Sequence, residues 1–197
     1  MKKYFPALEY VNIPNAFTSF GLVFGVAACF YLSAQNIRGV YVCIFFASLM
    51  DMLDGMLAAK LGQKTLFGQY ADTIADFFIC CVLPSMIFFT FIGGGVFYAA
   101  ALALYCVCGM WRLAYFTVTS QEKRDYYTGL PVPSAMLFTT IAMWFAIKFG
   151  LPVWVCAAII IISSVMMVSY FKLKKYGIWQ KLLWAAGLGF LILILIK

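Results

Sequence analysis

The chain has 197 residues, 65% of them apolar and only 11% charged, whereas about a quarter of a soluble domain is charged. A compact soluble fold of this size cannot hide so much apolar surface, which excludes a soluble enzyme, a nucleic-acid-binding domain and a disordered chain. There are 14 Lys and Arg against 7 acids and no His, and four of the acids (Asp51, Asp54, Asp72 and Asp76) fall inside otherwise apolar sequence.

From Lys2 to Asn12, Tyr4, Phe5, Leu8 and Tyr10 alternate with two lysines and Glu9, a pattern suited to a short N-terminal segment on a membrane surface. The apolar run that follows is too long for the h-region of a cleaved signal peptide. Stretches long enough to cross a hydrocarbon core of about 30 Å as helices run at about 15–34, 39–59, 69–92, 95–117, 132–149, 151–171 and 178–196. Gly, Pro or charge separates them, and no ten-residue alternation of a membrane barrel is present. The expected fold is therefore all-α: a polytopic transmembrane helix bundle of six or seven spans, forming one membrane domain over residues 1–197.

The second predicted span ends on Asp51-Met-Leu-Asp54-Gly55 and then Ala58-Ala59-Lys60; the third opens on Gly68, Asp72 and Asp76. Spacings of three and four put each pair of acids on one face of its helix. The short basic connection, which includes Lys64, makes the two helices antiparallel neighbours, so all four carboxylates converge at one depth. The fourth span carries Arg112 near one end. The longest polar run, Thr117 to Gly129, contains Lys123 and Arg124 and precedes a turn expected from Gly129, Pro131 and Pro133. The last predicted span follows a basic linker and reads as an addition to the bundle.

Placing the N-terminus in the cytoplasm puts ten Lys and Arg on the inner side and three (Arg38, Lys148 and Lys197) outside. The aspartates and the N-terminus then share the cytoplasmic side of an integral membrane protein, in the cell membrane if the source is bacterial or archaeal. The net charge of +7 reads as topology and attraction to anionic headgroups. All 7 cysteines sit in apolar spans without a C-x-x-C pair, which suits packing, and with no His a zinc site is not credible.

Four ionised carboxylates this close repel strongly, so either some protonate or bound cations neutralise them. An all-oxygen set suits Mg2+ or Mn2+, and two such ions would make a site for a pyrophosphate-containing substrate. The small residues Gly55, Ala58 and Gly68, spaced with the acids, leave room for a nucleotide or a neighbouring helix. Arg112, a cation within a span, needs an anionic partner: the aspartates, or a substrate phosphate or carboxylate.

The pattern D-x-x-D-G-x-x-A followed by G-x-x-x-D-x-x-x-D, at Asp51, Asp54, Gly55, Ala58, Gly68, Asp72 and Asp76, resembles the signature of the CDP-alcohol phosphotransferases, integral membrane enzymes of phospholipid biosynthesis. One position departs: Ala59 stands where the family usually has Arg, with Lys60 beside it. Pro14-Asn15-Ala16-Phe17-Thr18 resembles the P-N-x-x-T entry common in the family. Two further segments are similar to those of the phosphatidylserine synthases: Trp111 to Phe116 with Tyr126 to Ala135, and Met166 to Lys172. The resemblance spans about 13–175, leaving 178–196 as an extra helix.

The resemblance implies transfer of a phosphatidyl group from CDP-diacylglycerol to L-serine with release of CMP. Asp51, Asp54, Asp72 and Asp76 would bind metal, and Asp76 would act as general base. Asp51, Asp54, Gly55, Ala58 and Gly68 would surround the nucleotide. Lys64, Arg112, Lys123 and Arg124 are candidates for phosphate or carboxylate contacts. A homodimer is also implied. The alternatives are another acceptor (glycerol 3-phosphate, inositol or phosphatidylglycerol), a catalytically silent relative, or a divalent-cation transporter.

Overall fold

The computed structural model describes residues 6–119, 126–174 and 178–196, which are almost wholly helical. A short 3-10 helix, Pro6–Tyr10, leads into α1 (Ile13–Ser33) and stacks Tyr10 on Phe67 with ring centroids 5.0 Å apart. The Asn12 side chain caps α1 by accepting from Asn15 N at 2.9 Å, and Pro14 sits in the first turn, where a missing N–H costs nothing. α1 pairs extensively with the antiparallel α2 (Ile37–Lys60), whose first turn is capped by Asn36. Gly21 lets the two backbones approach: a Cβ there would stand 3.4 Å from Ala47 O.

The next span, 66–91, comprises α3 (Leu66–Phe77), a π-helical turn (Phe78–Val82) and α4 (Leu83–Phe91). α5 (Val96–Thr119), α6 (Val132–Phe149) and α7 (Val153–Val168) complete the bundle. Its core gathers buried residues of α1 to α7, such as Ala47, Ile79, Leu83, Phe88, Tyr105 and Met143. Large apolar side chains such as Phe20, Val23, Val26 and Phe30 on α1 point away from that core, as the lipid-facing side of a membrane helix does. α8 (Ile178–Ile196) packs on α2 and α6, where Phe190 meets the rings of Tyr41 and Trp144 at 5.6 and 5.5 Å.

The architecture is the expected polytopic helical bundle, and among the described residues five helical segments, with 66–91 taken as one, are long and apolar enough to cross a membrane. The sixth expected span, 151–171, is shorter as a helix. It stops at Val168, and the chain then forms β2 (Lys172–Lys174), antiparallel to β1 (Tyr126–Thr128). The expected turn at Gly129 is part of this clasp. Gly129 has φ +77°, its N–H donates to Phe171 O at 2.7 Å, and a Cβ would lie 2.6 Å from Met167 O. Only glycine fits there without strain.

Candidate active site

The site is built where the C-terminal end of α2 meets the N-terminal ends of α1 and α3. Asn12 Nδ2 donates to Gln63 O at 3.5 Å, and Asn15 Nδ2 donates to Tyr10 O at 2.8 Å, tying the start of α1 to its neighbours. Thr65 caps α3, its hydroxyl accepting from Gly68 N at 3.1 Å. On the far side of α3, Thr73 and Thr117 share a hydroxyl hydrogen bond of 2.6 Å that links it to α5. These contacts fix the angular position of the two aspartate-bearing helices.

All four aspartates line one small, partly open cleft, together with Thr18, Gly21 and Ala47. Carboxylate oxygens of Asp51, Asp72 and Asp76 lie within 4.8 Å of one another. Asp54 is 6% exposed, and its Oδ2 accepts a hydrogen bond from the Thr18 hydroxyl. No Lys or Arg among the described residues stands as a counter-charge to any of the four. Negative charge gathered in a low-dielectric site without basic partners calls for cations. The donors are hard oxygens on two facing helices, a set that fits Mg2+ or Mn2+ and offers nothing to a soft metal.

The remaining candidates divide. Gly55 faces open space, with nothing within 4 Å of where its Cβ would be, and Ala58 is half-buried one turn further on. The space beside Gly68 holds Asn15, whose Oδ1 would lie 2.6 Å from a Cβ at position 68. Ala59, Lys60 and Lys64 are exposed at the end of α2 and in the following connection. Lys123 and Arg124 lie outside the described residues.

Arg112 is apart from the aspartate cleft. It is 5% exposed, and its buried Nε has no hydrogen-bond partner among the described residues. Its guanidinium lies 5.9 Å from the centroid of Phe116, whose ring in turn meets Tyr127 of β1 at 6.1 Å. A buried cation with an idle donor is half of a recognition site for an anion. Thr18 is the residue that spacing arguments left without a task. Its position three after Asn15 puts a hydroxyl on the same face of α1, and that was the available signal.

A family model described as CDP-alcohol phosphatidyltransferase matches residues 11–168. The chain belongs to this family. It is an integral membrane enzyme of the CDP-alcohol phosphatidyltransferase class, whose substrates are a CDP-activated lipid and an alcohol. Among curated relatives, a CDP-diacylglycerol–serine O-phosphatidyltransferase of Helicobacter pylori is 27% identical over 191 residues, covering 93% of this chain and 79% of that protein. One of the same description from Bacillus subtilis is 29% identical over 167 residues, covering 81% and 91%. A CDP-diacylglycerol–glycerol-3-phosphate 3-phosphatidyltransferase of Aquifex aeolicus is 33% identical over 66 residues, or 34% of this chain and 37% of the relative.

Proposed function

We propose that this phosphatidyltransferase uses L-serine as its acceptor, converting CDP-diacylglycerol and serine to phosphatidylserine and CMP. The observation that carries the chemistry is the convergence of Asp51, Asp54, Asp72 and Asp76 on one cleft, with no basic counter-charge among the described residues. The acceptor rests on the serine-named relatives, which align over most of the chain, whereas the glycerol-3-phosphate relative aligns over 66 residues. The buried Arg112 guanidinium suits an acceptor that carries a carboxylate.

Divalent ions held by the four aspartates supply, when bound, positive charge against the pyrophosphate and the departing phosphate. The protein's own groups do the rest. Asp76 accepts the proton of the serine hydroxyl as the serine oxygen forms its bond to the phosphatidyl phosphorus. The bond from that phosphorus to the CMP oxygen breaks, and CMP leaves with the electron pair. The open side of Gly55 admits the nucleotide, and the exposed apolar flanks of the bundle accommodate the acyl chains. Arg112 orients the acceptor by its carboxylate, and burial keeps that ion pair out of competition with water.

The test is CMP release by purified protein in detergent with CDP-diacylglycerol, serine and Mn2+. Serine-dependent CMP that disappears in Asp76→Asn supports the reading. CMP release driven by glycerol 3-phosphate, inositol or phosphatidylglycerol and not by serine would reassign the acceptor. Metal flux into sealed vesicles without nucleotide would favour a transporter instead. Against transport, Asp51, Asp54, Asp72 and Asp76 cluster at one end of the bundle, whereas an ion pathway needs polar groups at several depths.

A further inference from the structure

The span from Leu66 to Phe91 is interrupted just after Asp76. At Phe78–Val82 the helix widens into a π-turn, with Leu83 N–H reaching Phe78 O, five residues back. The sequence supplies the cause. Pro84 has no N–H, and its ring would collide with the carbonyl four residues earlier, that of Cys80. In the widened turn, Cys80 O is met instead by the hydroxyl of Tyr105 on α5, which donates to it at 3.0 Å. Tyr105 is 1% exposed, so water does not compete for that bond. The next carbonyl, Cys81 O, accepts from Ser85 Oγ at 2.9 Å and from Cys106 Sγ at 3.6 Å.

The turn changes which way the aspartates face. The inner half of the span lines the cleft with Asp72, Ala75, Asp76 and Ile79, and the outer half buries Leu83, Pro84, Ile87 and Phe88 in the bundle. In an uninterrupted helix, at about 100° per residue, the second group would centre roughly 90° round from the first. The one extra residue of a π-turn takes up about that rotation, so both groups share one face. Without it, packing the outer half correctly would swing Asp72 and Asp76 away from Asp51.

We infer that the π-turn, held by Pro84 and Tyr105, presents Asp72 and Asp76 to the α2 aspartates, and that Tyr105 and Pro84 are positioning residues for the cation site. The inference rests on the reading of the four aspartates as cation ligands. Tyr105→Phe keeps the ring and removes the donor to Cys80 O. Pro84→Ala restores an amide and removes the reason for widening the turn.

Mn2+ binding is measured by electron paramagnetic resonance on purified protein in detergent, without nucleotide. Each variant is expected to bind Mn2+ about tenfold more weakly than the wild type, the usual effect of removing a group that orients a ligand. A second readout needs no metal: carbodiimide labelling of Asp72 and Asp76, followed by peptide mass spectrometry, should change rate in both variants while Asp51 labels as before. Should Pro84→Ala aggregate, Tyr105→Phe, which loses a single oxygen, carries both measurements. Wild-type Mn2+ affinity and wild-type labelling in Tyr105→Phe overturn the inference. Failure of the wild type itself to bind Mn2+ would overturn the cation reading, and the labelling then decides the role of the turn alone.

Discussion

Thr18 on α1 donates its hydroxyl hydrogen to the Asp54 carboxylate on α2, joining helices whose residues here are 36 apart in sequence. A carboxylate that is 6% exposed cannot rely on water, so this hydroxyl both satisfies one lone pair and fixes the rotamer. Such an orienting contact governs ligand affinity more than bond-making itself. Thr18→Ala is expected to raise the Mn2+ concentration for half-maximal CMP release by about tenfold, with most of the maximal rate recovered at saturating metal. Thr18→Ser keeps the hydroxyl and should stay near wild type. A metal titration of both variants checks this, and equal half-saturation in Thr18→Ala and wild type would count against it.

Asp51, Asp72 and Asp76 crowd their oxygens within 4.8 Å, a geometry that helps only when a cation is present. In chelator, part of the charge is uncompensated and destabilising. Asp51→Asn should therefore unfold at a higher temperature than wild type in chelator, by roughly 2–4 °C, the shift that about 1 kcal/mol produces in a chain of this size. The same variant should lose the stabilisation that added Mn2+ gives the wild type, and lose CMP release with it. Thermal unfolding in detergent, with and without Mn2+, distinguishes this from simple damage, which would lower the midpoint under both conditions.

Gly55 offers a separation of function from packing. Nothing lies within 4 Å of its missing Cβ, so a larger side chain meets no protein atom. Inside α2 it should also favour the helix, since glycine costs up to about 1 kcal/mol against alanine. Gly55→Leu is thus expected to fold at least as well as wild type while raising the KM for CDP-diacylglycerol by about tenfold, through volume taken from the nucleotide. An unchanged KM would place the nucleotide elsewhere.

The bundle and the aspartate cluster were legible because each rests on local spacing. Apolar runs of span length announce helices, and acids at three and four residues apart on consecutive spans must face one another if the connection is short. Three features were not. The π-turn leaves no mark in the stretch from Phe77 to Pro84, which is apolar throughout, although Pro84 eight residues after Asp76 was a signal in the right place. The β1–β2 clasp joins three-residue strands distant in sequence, Tyr126–Thr128 and Lys172–Lys174, too short for any alternation to show. The burial of Arg112 beside Phe116, away from the aspartates, depends on how α5 is rotated, and composition does not fix that.

The clasp depends on Gly129. Its φ of +77° is strained for an L-residue, and a Cβ would stand 2.6 Å from Met167 O, a backbone atom that cannot step aside. Gly129→Ala should destabilise the protein by at least about 1 kcal/mol and loosen β1. Since Tyr127 of β1 meets Phe116 beside Arg112, the damage should reach the acceptor before the nucleotide. The expected pattern is a raised KM for serine with a smaller change for CDP-diacylglycerol, measured below the lowered unfolding temperature. Equal changes in both would mean that the clasp has no bearing on Arg112.

Arg112 itself separates a recognition role from a packing one. A guanidinium that is 5% exposed with an idle Nε costs stability in the free protein, so its retention needs a ligand that meets it. Arg112→Met, similar in length and uncharged, should leave the unfolding temperature unchanged or raised, while serine KM climbs by at least about tenfold, as expected when one partner of a buried charge-assisted pair is lost. Arg112→Lys keeps the charge but not the planar fork that matches a carboxylate, and should recover only part of the affinity. Steady-state kinetics in both substrates decide the matter. If Arg112→Met raised the KM for CDP-diacylglycerol instead, the guanidinium would belong to the lipid phosphate, and the serine carboxylate would need another partner.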